Sequence, residues 1–234
     1  MSGTSGESKR LEGIRIKIND ILPEASIKYR THVQDYGWQE WKSNGEMSGT
    51  SGESKRLEGI EIKLENAPGY SIEYRTHVQD YGWQEWKRNG EMSGTSGESK
   101  RLEGIEIRIV KDPEIQYRTH VQDYGWQEWK NNGEMSGTSG ESKRLEGIEI
   151  KADNLPKGAS IQYRTHVQDY GWQEWKSNGE MSGTSGESKR LEGIEIKLEN
   201  APGYSIEYRT HVQDYGWQEW KSNGEMSGTS GESK

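Results

Sequence analysis

Five times the chain writes "DYGWQEWK", at residues 35–42, 80–87, 123–130, 169–176 and 214–221. Indoles among carboxylates and amides are suited to carbohydrate recognition. A flat ring covers the apolar C–H face of a pyranose while polar side chains bond its hydroxyls. The candidate stacking groups are the second tryptophan of each pair (Trp41, Trp86, Trp129, Trp175, Trp220) and the tyrosine before it (Tyr36, Tyr81, Tyr124, Tyr170, Tyr215). Asp35, Asp80, Asp123, Asp169 and Asp214, with Gln39, Gln84, Gln127, Gln173 and Gln218, are the candidate hydrogen-bonding groups. The plainer alternative is that both tryptophans wedge between repeats and the polar groups close turns. Residues three apart point to opposite faces of a regular strand, so one indole is expected inside and the other outside unless a bulge intervenes.

Other chemistries fit less well. One histidine falls in each repeat (His32, His77, His120, His166, His211), but a metal site needs two to four convergent ligands, and no HxxxH or carboxylate spacing is present. A histidine bonded to a neighbouring strand is the expectation, and no metal. "SGTSGES" lacks the GK[ST] ending and following helix of a phosphate loop, so its glycines and serines are assigned to turns. "GESKRLEG" reads as a solvated strand with cross-strand ion pairs. Paired catalytic carboxylates need unlike environments, whereas near-identical repeats supply like ones. No enzyme activity and no cofactor are expected. Symmetry suits multivalent binding, in which weak sites add through avidity.

Composition narrows the partners. Over 234 residues the net charge is −8, and Lys and Arg are interleaved with Glu, so neither nucleic acid nor an anionic membrane surface is expected to bind. Cysteine is absent, which excludes disulfides and thiolate sites. No apolar run approaches about 18 residues and no signal peptide is present, so a soluble chain without membrane insertion is expected. Only 28% of residues are hydrophobic, yet ten Trp and twelve Tyr recur in register. A thin, aromatic-rich core follows, since each such ring buries about 150–250 Å².

The elements that must position these side chains repeat with the motif. "MSGTSGESK" begins at Met1, Met47, Met92, Met135, Met181 and Met226, defining units 1–46, 47–91, 92–134, 135–180 and 181–225 and a surplus copy, 226–234. Length varies only in one insert per unit, each with a proline (Pro23, Pro68, Pro113, Pro156, Pro202), and these inserts are expected as hairpin tips. Around them apolar residues alternate: Ile60, Ile62 and Leu64 on one face, then Ile72, Tyr74, Thr76 and Val78. No segment has a helical period. The fold class is all-β, with little or no helix.

Units of this size cannot bury an apolar face alone, and no polar caps are visible, so a closed five-fold repeat is expected. A five-bladed β-propeller fits five units best. Sheets in a prism-like arrangement, with one face in and one out, are the alternative, favoured by the polar Arg/His/Gln face of the second strand. In a closed ring one terminal copy of "MSGTSGESK" completes the last blade and the other is redundant unless it pairs with a second molecule. A monomer is expected, with strand-swapped oligomers available through the duplicated segment.

The stretch "THVQDYGWQEWKSNGEMSGTSGESKRLEGIEIKL" resembles the clostridial hydrophobic Trp (ChW) repeat of Gram-positive anaerobes, in its "GWQ.W" core, its "SGTSG.S.RLEGI.I" tail and its unit length. The resemblance extends to every unit. It implies secreted or cell-surface relatives that act in adhesion or bind polysaccharide or protein, so glycans and cell-surface proteins are the expected partners. Glu40 and Lys42 stand where relatives carry smaller or apolar residues, which reads as solubilisation. Copies this alike imply deliberate assembly from a consensus or ancestral unit, or very recent duplication. Three functions follow: an engineered symmetric scaffold without catalytic activity, a multivalent glycan-binding module, and a protein adhesion module that uses the variable tips.

Overall fold

The computed structural model describes residues 1–4, 7–19 and 22–231. Positions 5, 6 and 232–234 of the terminal copies and positions 20 and 21 of the first insert lie outside the described residues. The all-β expectation holds, because every described element is a strand, joined into antiparallel sheets, with one set per repeat. Two compact units divide the chain, Met1–Asp112 and Pro113–Lys234.

The second, third and fourth repeats each contribute two long strands, and the first and fifth contribute one each. One kind, here called the leucine strand, is seen at Leu57–Glu65, Leu102–Lys111, Leu145–Asp153 and Leu191–Glu199. The other, the tyrosine strand, spans Ser26–Val33, Tyr70–Val78, Glu114–Val121 and Ser160–Val167. Alternation is visible in burial: Ile27, Tyr29, Thr31 and Val33 are buried while Lys28, Arg30 and His32 are partly exposed. One face in and one face out is the sheet geometry of the prism-like alternative.

The inserts are not hairpin tips. A leucine strand does not pair with the tyrosine strand that follows it; it pairs with the tyrosine strand of the preceding repeat. Register supplies the reason. In the second repeat a hairpin closed over residues 66–69 would set Ile62 opposite Glu73 and Ile60 opposite Arg75, which mixes the faces. Across repeats, Ile62 lies opposite Tyr29, Ile60 opposite Thr31 and Glu61 opposite Arg30. The inserts therefore carry the chain between sheets. At the shortest one, Asp112 and Pro113, only two residues separate Leu102–Lys111 from Glu114–Val121, and here the chain passes from the first unit to the second.

The second edge of a leucine strand takes the Ser-Gly pair of the next "MSGTSGESK". Ser93–Gly94 lies on Gly59–Ile60, Ser182–Gly183 on Gly147–Ile148 and Ser227–Gly228 on Gly193–Ile194. The first copy departs from this pattern: Ser2–Gly3 pairs with Gly104–Ile105, in the third repeat. Both terminal copies are thus in use, which corrects the expectation that one is redundant. A leucine-strand edge is a row of unpaired amides until a Ser-Gly pair covers it, and the two terminal copies supply one such cover in each unit.

In the first unit, Ile27, Tyr29, Val33, Leu57, Ile60, Ile62, Ile72, Tyr74, Val78, Leu102 and Ile105 form one buried cluster, with Leu11 and Ile14 packed on it. There Leu11 N–H donates to the Leu102 carbonyl at 2.9 Å and Leu57 N–H to that of Leu11 at 2.8 Å, so three leucine segments meet. Ile150, Ile161, Tyr163, Ile196 and Tyr208 anchor the core of the second unit.

Candidate functional site

A tight turn begins each "DYGWQEWK". Asp35 and Gly37 adopt left-handed φ of 66° and 72°, and Tyr36 N–H donates to the Val33 carbonyl at 3.1 Å. Asp and Gly tolerate that geometry best. Gly37–Trp38 then pairs back on His32–Val33, and Lys42–Ser43 pairs on Lys28–Tyr29. Between them the register slips by one residue, since Trp38 lies opposite His32 but Lys42 opposite Tyr29. This is a β-bulge, and it turns the second tryptophan to the face of the first.

The opposed-face expectation for the tryptophan pair is therefore corrected: both indoles lie on the outer face and clamp one guanidinium. Arg30 Cζ is 5.0 Å from the Trp38 ring and 4.9 Å from that of Trp41. Arg75, Arg118, Arg164 and Arg209 sit likewise between their own pairs. A second cation from the next leucine strand covers Trp41, Trp86, Trp129 and Trp175: Lys63 at 4.9 Å, Arg108 at 4.0 Å, Lys151 at 4.1 Å and Lys197 at 4.4 Å. Trp220 lacks that second cover among the described residues and is 54% exposed.

The glutamines serve the backbone. Gln39 Oε1 accepts from Gly49 N–H at 2.7 Å, and Gln84, Gln127, Gln173 and Gln218 repeat the bond to Gly94, Gly137, Gly183 and Gly228. These amides lock the Ser-Gly segments to the bulge. The aspartates are held by lysines: Asp35 accepts from Lys55, Asp80 from Lys100, Asp123 from Lys143 and Asp169 from Lys189, each at 2.5 Å. Hydrogen bonding to Lys55 holds the Asp35 carboxyl below the usual range, and the same pair raises the Lys55 ammonium. Lys234, which holds the same place in the sequence relative to Asp214, lies outside the described residues.

The tyrosines remain open. Tyr36, Tyr81, Tyr124, Tyr170 and Tyr215 are 55–57% exposed. Tyr36 Oη donates to Glu53 Oε2 at 2.9 Å, and that bond to a carboxylate raises the phenol above its ordinary value. Each candidate set is thus split three ways. Tyr and Asp share a turn with Lys and Glu, Gln anchors a neighbouring segment, and the second Trp belongs to a cation stack. Tyr124, Trp126 and Gln127 line one shallow open groove with Glu128, Lys130, Met135 and Gly137.

Histidine lies, as the sequence suggests, against a neighbouring strand, where a carboxylate approaches its Nδ1. His32 Nδ1 lies 3.2 Å from Glu58 Oε2, and Arg56 Nη2 lies 2.7 Å from Glu58 Oε1. Glu58 is buried, and its equivalents Glu103, Glu146 and Glu192 meet His77, His120 and His166 in the same way. The imidazole of His32 stands edge-on to Trp38 at 5.5 Å. Among the described residues, no three His, Asp or Glu side chains converge to hold a metal. No helix there is long and apolar enough to cross a membrane.

Arginine was missed as the centre of the site. Arg30 Nε donates to Glu61 Oε2 at 2.7 Å while its plane fills the space between two indoles. The available signal was its fixed place in "YRTHV", on the polar face next to His32.

The family described as Clostridial hydrophobic W matches residues 1–20, 32–66, 77–111, 120–154, 166–200 and 211–234. No curated protein and no solved structure matches the chain.

Proposed function

Since the chain belongs to the Clostridial hydrophobic W family, we propose that it is a symmetric, non-catalytic repeat scaffold, assembled from one consensus or ancestral unit of a cell-surface binding module. One observation carries this reading. The side chains best suited to chemistry are spent on identical internal contacts in repeat after repeat: Trp around Arg, Gln on Gly, Asp on Lys and Glu on His. Arg30 and Lys63 both lie over the Trp41 ring, at 4.9 Å each, where a sugar would have to stack. Titrating intrinsic tryptophan fluorescence with cell-wall and plant oligosaccharides tests the proposal. No saturable change is expected; a saturable quench or blue shift with one sugar class would refute it.

A second reading rests on the exposed tyrosines. Five exposed phenol rings form a periodic surface for multivalent glycan contact, and Tyr36, Tyr81, Tyr124 and Tyr170 each stand beside a carboxylate and a lysine. On that reading Tyr81→Ala in one repeat weakens capture on a glycan array modestly, and the five-fold replacement abolishes it. Protein adhesion through the inserts is a third reading. It predicts that exchanging residues 66–69 and 154–159 removes capture of a partner while leaving the fold intact.

A further inference from the structure

Four tyrosine strands are covered along one edge by a leucine strand, and the fifth is not. Residues 206–212 form only the short segments Glu207–Tyr208 and His211–Val212, paired on one side with Lys221–Ser222 and Gly216–Trp217. Among the described residues no leucine strand lies on the other side. The indoles of this repeat are the most open: Trp217 and Trp220 are 46% and 54% exposed, where the tryptophans of the other repeats are only partly exposed. Neither Arg209 nor His211 meets a carboxylate among the described residues, although Arg30 has Glu61 and His32 has Glu58.

A second edge in the same unit is also open. Five Ser-Gly-Thr segments give the Thr N–H to the Glu carbonyl of a leucine strand, at 2.7–2.8 Å (Thr4, Thr50, Thr95, Thr184, Thr229). The fourth copy, at Ser136 and Gly137, forms no ladder. A Cβ on Gly49 or Gly94 would strike a Glu carbonyl at 2.3 or 2.4 Å, whereas one on Gly137 would meet only the Leu145 side chain. In the first unit the equivalent pair of edges, Tyr70–Val78 and Ser2–Gly3, flanks one strand, Leu102–Lys111. By correspondence with the first unit, residues 206–212 and Ser136–Gly137 are the two edges such a strand would join, and among the described residues neither is paired with one.

We propose that the second unit accepts an added leucine strand from another polypeptide, one that reads Leu-Glu-Gly-Ile-Glu-Ile-Lys, between residues 206–212 and Ser136–Gly137. Strand addition of this kind takes affinity from main-chain bonds and specificity from alternate side chains. Every side chain of the incoming strand has a waiting counterpart. Its first Glu meets His211, its second Glu meets Arg209, its Lys covers Trp220, and its isoleucines lie over Tyr208 and Thr210.

Charge sets the choice of partner. Glu61, Glu106, Glu149 and Glu195 lie directly opposite Arg30, Arg75, Arg118 and Arg164. The first repeat alone writes Arg15 at this position, in "LEGIRIKI". Laid on Arg209, that sequence sets two guanidiniums face to face, and like charges directly opposite destabilise a pair. The first repeat of a second copy is thereby disfavoured, and with it the head-to-tail contact that would otherwise propagate rings or fibres.

The test titrates the intact chain with a fluorescein-labelled peptide of sequence SKRLEGIEIKLE (residues 54–65) and with its Glu61→Arg counterpart, followed by anisotropy. One peptide per chain is expected, with the arginine peptide about tenfold weaker, the order of effect of turning one cross-strand attraction into repulsion. Hydrogen exchange should slow at 206–212 and at Ser136 and Gly137 in the complex. In Arg209→Glu the order of the two peptides should reverse. Equal affinity for both peptides, or no saturation by either, overturns the proposal. So does concentration-dependent self-association of the chain in sedimentation, which would show that Arg15 does not exclude a second copy.

Discussion

Arg30 decides more at its site than either tryptophan beside it. Its guanidinium lies between two indoles while bonded to Glu61, so Arg30→Ala removes two cation–π contacts and one ion pair. At this partly exposed position a loss of about 1–2 kcal/mol is expected in urea unfolding, and Arg30→Lys should recover only part, since an ammonium cannot stack flat. Tyr74 is the buried counterpart. Its Oη accepts from Ile62 N–H at 2.9 Å and donates to the Glu91 carbonyl. Tyr74→Phe strands both groups and should cost about 1–3 kcal/mol. Burial pushes the Tyr163 phenol up to about 12, and Tyr74 higher still. The unfolded chain ionises near the ordinary tyrosine value of about 10. Between that value and about 12 the native state therefore holds more protons, and stability falls as pH rises. Unfolding followed by circular dichroism should show stability falling steeply as pH rises above about 10, relative to its value at neutral pH.

Among the elements, the Ser-Gly segments do work out of proportion to their length. Gly94 has a φ of 110°, and a Cβ there would sit 2.4 Å from the Glu58 carbonyl. Gly94→Ala must push this segment off Leu57–Glu65, and a loss of about 2 kcal/mol or more is expected, because strain and a broken ladder add. Gly137→Ala is the control, since no carbonyl faces it. Its φ of 109° still carries strain, so a smaller loss is expected. A thermal unfolding series of both variants separates the two contributions. This contrast was not legible from six identical copies of "MSGTSGESK", because identical residues meet different neighbours.

For the molecule as a whole, both ends of the chain are structural. Removing residues 1–4 uncovers the edge of Leu102–Lys111, and removing residues 226–231 uncovers Leu191–Glu199. Each deletion should lower the midpoint of thermal unfolding by several degrees, whereas a redundant copy could be lost without effect. Much of this organisation stood in the sequence. The period of the motif, the all-β class, the alternation in "SIEYRTHV" and the place of the histidine against a neighbouring strand were all legible, because they depend on side-chain order along a strand.

What the sequence could not decide was which edges meet. Alternation says which face of Leu57–Glu65 is apolar, but any apolar face of the right register satisfies it, and five near-identical repeats offer the same face many times. Only the tertiary structure showed that leucine strands pair backwards onto the preceding repeat, that the first Ser-Gly segment pairs with the third leucine strand, and that the fifth tyrosine strand is left open. The same holds for the tryptophans. Spacing assigned them to opposite faces unless a bulge intervened, and a one-residue bulge against the strand just before the motif brought both onto Arg30. Local order is a property of the chain; pairing is a competition among copies, and free energy summed over the whole fold decides it.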